Sequence, residues 1–87
     1  MQAVVARVTI DDRESAESHL REQIVPQVSQ VPGFVGGYWT YKDGTGLAMV
    51  VFESEEAANG MSERVPSMLP DGVTMEDIEV REVVAHA

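Results

Sequence analysis

Few side chains in this sequence could move a proton or stabilise a developing charge. His19 and His86 are the only histidines, and His19, with a free pKa of about 6.5, could serve as an acid or base if it reached a pocket. Arg7 interrupts an otherwise apolar run. A buried guanidinium must be paired, so Arg7 either bridges to an acid such as Glu53 or Glu79, sits at a rim, or stabilises a phenolate or other oxyanion. Tyr41 lies two residues beyond Trp39, the only tryptophan, in "GFVGGYWTYKDGTG" at 33–46. Arg7, His19 and Tyr41 are the catalytic candidates, each with a plainer alternative: an ion pair, a helix flank and amphipathic packing. Trp39 reads equally as core filling or as a pocket wall.

Other chemistries find no support. The chain has no cysteine, which rules out thiolate nucleophiles, disulfides and thiolate metal sites. Two histidines do not make a metal site by spacing, and no Ser-His-Asp set can be assembled. The glycines of "GFVGGYW" and "DGTG" form neither GxGxxG nor a phosphate-binding loop. No metal and no cofactor are expected.

Composition narrows the partners. Fifteen acidic residues against six basic ones give a formal charge of −9, which repels nucleic-acid backbones and anionic membranes. No apolar run approaches the roughly 20 residues of a membrane-spanning helix. The start, "MQAVVARVTIDD", reads as a strand rather than a signal peptide, so the cytoplasm is the expected compartment. At 87 residues the chain makes a single domain, 1–87, with a small core.

Residues 3–10 are rich in β-branched side chains and predict a strand. Asp11 or Asp12 caps a helix over about 12–30, whose apolar stripe runs through Ala16, Leu20, Ile24 and Val28, and Pro26 kinks or breaks it. Strands follow at 34–42 and 47–53, joined by a turn in "DGTG". Ser54 caps a second helix with Ala57, Ala58, Met61 and Val65 inward, stopped by Pro66. The last strand, 73–84, shifts its apolar phase between Met75 and Ile78, the mark of a bulge.

The order strand–helix–strand–strand–helix–strand with right-handed crossovers predicts an α+β, ferredoxin-like βαββαβ fold: a four-stranded antiparallel sheet with two helices on one face. The third strand is apolar on both faces, with Leu47, Met49 and Val51 on one and Ala48, Val50 and Phe52 on the other. Two helices cover only one face. An uncovered apolar sheet face is rare in a monomer, so a homodimer closing the two sheets into a β-barrel is expected.

"PGF" at 32–34 and "VVFESEEAA" at 50–58, within that element order, resemble the dimeric α+β barrel superfamily, in particular its antibiotic biosynthesis monooxygenase branch. The resemblance in element order spans the whole chain. It implies the barrel fold and a pocket between sheet and helices. Some members oxidise quinols or aromatic polyketides with oxygen and no cofactor, others degrade heme, and many have no known activity, so fold alone does not choose. The heme-degrading members use an Asn on strand 1, a Trp ending strand 3 and a His on the second helix. Arg7 and Phe52 stand at the strand positions here, and "SEEAANGMSERV" has no histidine, which argues against heme degradation. The cofactor-free members' pocket types are matched by Trp39, Tyr38, Tyr41, Asn59 and Arg7.

A turn at Gly44-Thr45, or a loop over 43–46, would set Tyr41 opposite Ala48, Trp39 opposite Val50 and Gly37 opposite Phe52. Phe52 occupies the position of the resembling family's pocket tryptophan, which turns Trp39 to the helix side. Phe34, Gly36, Tyr38 and Thr40 then face the partner subunit. The expected ligand-binding residues are Trp39, Phe52, Val50, Gly37 and Ala48, with Gly37 making room for the ring of Phe52. The function expected from the resemblance is cofactor-independent monooxygenation of a small aromatic such as a quinol. The alternative is a non-catalytic dimeric module that binds a small apolar ligand or a protein partner.

Overall fold

A computed structural model describes residues 1–87. Strand β1 (Gln2–Ile10) leads into α1 (Arg13–His19), a π-helical segment (Leu20–Ile24) and α2 (Val25–Ser29). Strands β2 (Phe34–Lys42) and β3 (Thr45–Phe52) form a hairpin, and α3 (Glu55–Met68) returns the chain to β4 (Val73–Glu82). The sheet order is β2-β3-β1-β4, antiparallel throughout, compatible with the ferredoxin-like arrangement.

The caps form as their residue types require. Asp12 accepts from the Ser15 amide at 3.2 Å and Ser54 from the Ala57 amide at 3.1 Å, each satisfying an amide that the first turn leaves free. Pro26 breaks the first helix by widening it. Without an N–H, and with its ring crowding the carbonyl four residues back, it disfavours a regular ladder. The preceding turn is π-helical, with the Val25 amide bonding to Leu20 O. Pro66, by contrast, does not stop its helix. α3 runs on to Met68, and the Met68 carbonyl is held by His19 at 3.1 Å.

The hairpin turn has two residues, as in the shorter expected form, but lies one residue earlier in the chain. Lys42 pairs with Thr45, leaving Asp43 and Gly44 as the two turn residues, with φ of 50° and 81°. Two successive positive φ values match the right-handed twist of the strands, and glycine adopts one at no steric cost. The register therefore slips by two residues from expectation: Tyr41 faces Gly46, Trp39 faces Ala48 and Gly37 faces Val50. An even slip keeps every side chain on its face.

An irregularity between Phe34 and Gly36 then changes one face assignment. Phe34 sits opposite Phe52, so it turns inward instead of towards a partner subunit. The two rings meet edge to face, centroids 6.1 Å apart. The second bulge lies where expected, between Met75 and Asp77 on β4, opposite Arg7 and Val8.

The core lies between the sheet and the helices and is built on Val4, Val28, Val50, Phe52, Ala58 and Met61. Phe52 is 0% exposed, a burial that stabilises by about 1.5–3 kcal/mol. The opposite face carries no helix. There Tyr38 is 78% exposed, Leu47 47% and Met49 45%.

Candidate functional site

A cavity of about 120 Å³ separates the helices from the sheet. Its floor comes from alternate residues of the central strands, Val4, Ala6 and Val8 of β1 and Gly46, Ala48 and Val50 of β3. Its roof comes from Ala16, Leu20, Ile24 and Val28, and α3 contributes Met61, Val65 and Met68. The helical stripe read from the sequence is thus the roof. Of the 20 lining residues 17 are hydrophobic and none is ionisable, so the site can hold apolar matter and offers no acid, base or counter-charge of its own.

Trp39 lines this cavity from β2, beside Ala48 and Val50. These three expected ligand-binding residues come together. The other two do not. Phe52 is sealed in the core against Phe34, outside the cavity wall. Gly37 makes room for Trp39 rather than for Phe52: a Cβ there would stand 3.1 and 3.2 Å from two carbons of the indole ring. The two residues share a face two apart on β2, and the ring lies back over the glycine.

The three catalytic candidates do not converge on the cavity. Arg7 alternates with Ala6 and Val8 and therefore points from the opposite sheet face. It is exposed there, between Leu47 and Asp77 in the ladder, without an ion pair. Of the two suggested acids, Glu79 instead accepts from Arg81 at 2.9 Å. Tyr38 shares that face, and Asn59 is exposed on α3. A pocket role for Arg7 beside Trp39 is corrected by this alternation.

His19 lies on a separate shallow groove with Gln23, Gln27 and Ser67, its Nε2–H donating to the Met68 carbonyl. It ties the first helical layer to the end of α3. Tyr41 is on the helix side, one ladder step beyond Trp39, with the Arg13 guanidinium 4.4 Å from its ring centroid. Arg13 also donates to Glu17 at 2.9 Å. That hydrogen bond holds the Glu17 carboxyl below its ordinary pKa and the guanidinium above its own.

Sequence reasoning missed Gly46, Ala6 and the Leu69–Pro70 wall. Gly46 read as a turn residue, yet it is a buried strand position, where a Cβ would meet Ile10 Cδ1 and Val8 Cγ2 at 2.9 Å. A two-residue turn at Asp43-Gly44 would have revealed it. "LPDG" carries a turn signal that says nothing about which cavity the turn closes. No group of three or more His, Asp or Glu gathers to hold a metal ion, and no helix is long and apolar enough to cross a membrane.

No protein-family model matches the chain, and no curated protein matches its sequence.

Proposed function

We propose that this protein is a dimeric module of the α+β barrel kind that binds a small apolar ligand in the helix-side cavity. The observation that carries the reading is the cavity wall itself, apolar almost throughout and without one ionisable side chain. Such a wall binds by excluding water. The dimer is supported by the uncovered face bearing Tyr38, Leu47 and Met49, which a second copy would cover sheet to sheet about a twofold axis.

Cofactor-independent oxygenation of a small aromatic is the second reading, favoured by the indole of Trp39 on the cavity wall. It requires the substrate to supply the electrons for oxygen and to shed its proton without help from the wall. Oxygen uptake over a quinol panel separates the two. The binding reading expects no uptake above buffer and a rise in Tm with apolar ligand. Uptake that Trp39→Ala abolishes, in a variant that stays folded, would establish the oxygenase instead.

A further inference from the structure

The ladder explains why the cavity exists where it does. Read across the sheet, one row is Trp39–Ala48–Ala6–Ile78, and the row beside it is Gly37–Val50–Val4–Val80. On the valine row the two central strands fill the space under the helices. On the alanine row each contributes a single methyl, and in the next row β3 contributes Gly46, opposite Val8. At Gly46 the side chains of Val8 and Ile10 take up the space, so the missing volume is written into the paired Ala6 and Ala48 at the centre of the floor.

The size of that space selects. About 120 Å³ is well under the roughly 300–1,000 Å³ of pockets for drug-sized ligands. It is close to the roughly 150 Å³ of a dry apolar cavity that holds benzene. One ring fills it, and a second fused ring would have to spread the helices or lie outside the walls.

Polarity selects as well. Thr40 is the one hydroxyl-bearing residue of the lining, and its hydroxyl already donates to the Leu47 carbonyl at 2.8 Å. A carboxylate or phenolate inside would have no counter-charge. A neutral hydroxyl left without a partner loses roughly ten- to a hundredfold in affinity.

We infer that the cavity takes an uncharged, hydrocarbon-like molecule about the size of one substituted six-membered ring, and that Ala6 and Ala48 set that limit. This rests on the ligand-binding reading above and narrows it. The polycyclic phenols that the resemblance brings in are too large, and their ionised forms are excluded by charge.

Trp39, the only tryptophan, reports on the site directly. Toluene, phenol, benzoate and 1-methylnaphthalene are titrated against the full chain, following Trp39 emission and Tm. Toluene is expected to perturb the emission and raise Tm, phenol to bind at least tenfold more weakly, and benzoate and 1-methylnaphthalene to have no effect. Ala48→Leu, or Ala6→Val should that variant not fold, is expected to abolish the toluene response while far-UV circular dichroism is retained. Benzoate or 1-methylnaphthalene binding as tightly as toluene would overturn the size and charge limit and leave ligand binding standing. No response to any of the four in the wild type would overturn both. A toluene response unchanged in a folded floor variant would remove the alanines from the role.

Discussion

Replacing Leu47 and Met49 together by threonine tests the proposed dimer. Both side chains point away from the helices and are only about half covered, Leu47 being 47% exposed and Met49 45%. Burying the remaining half of a large apolar side chain is worth about 1 kcal/mol. A twofold axis presents each residue twice, so four such side chains contribute about 4 kcal/mol. Threonine is β-branched, which suits a strand, and adds no charge. The loss should therefore fall on association rather than on folding, and about 4 kcal/mol is roughly a thousandfold in Kd.

Sedimentation velocity over a concentration series measures the shift, with Trp39 emission and circular dichroism as controls on the fold. The expected result is a wild-type dimer at micromolar concentration and a variant that is monomeric there with unchanged spectra. A wild type that stays monomeric at tens of micromolar, or a double variant whose Kd moves less than tenfold, would refute the role of this face.

Two further outcomes follow from named contacts. Gly37→Ala brings a methyl against the Trp39 ring and within 3.3 Å of the Met49 carbonyl. Overpacking of about 1–3 kcal/mol outweighs the roughly 0.4–1 kcal/mol gained from a stiffer unfolded chain, so Tm should fall by several degrees with a shifted Trp39 emission. An unchanged Tm and emission would show that the indole does not rest there. Glu17 should titrate below its ordinary 4.5 in carboxyl-detected NMR, and Arg13→Ala should raise its midpoint. Because its folded pKa is the lower one, its small, salt-sensitive contribution is present above 4.5 and is lost as pH falls through the folded value. A Glu17 midpoint that does not move in Arg13→Ala would show that the pair does not form in solution.

Local chemistry made much of this architecture legible. β-Branched runs, two side-chain caps and a 3.6-residue stripe mark strands and helices whose causes lie within a few residues, and the phase break after Met75 marks a real bulge. The face of Trp39 was legible for a subtler reason: strand side chains alternate with period two, so a register error of two residues leaves it unchanged. Phe34 was not legible in the same way. Its inward turn depends on one extra residue in β2, and nothing in "GFVGG" distinguishes a bulged pairing from a regular one.

The candidate site divides along the same line. Which residues are apolar, and that helical stripe and sheet face meet, is set by the one-dimensional pattern of side chains. Where space remains between them depends on which small residues fall side by side on neighbouring strands, and Ala6 and Ala48 are distant in sequence and adjacent only through pairing. Arg7 shows the converse. Its type suggested chemistry, but alternation from Ala6 and Val8 carries it to the far face of the sheet, away from Trp39. Residue types determined what could line a cavity; the pairing of strands, a long-range property, decided which of them do.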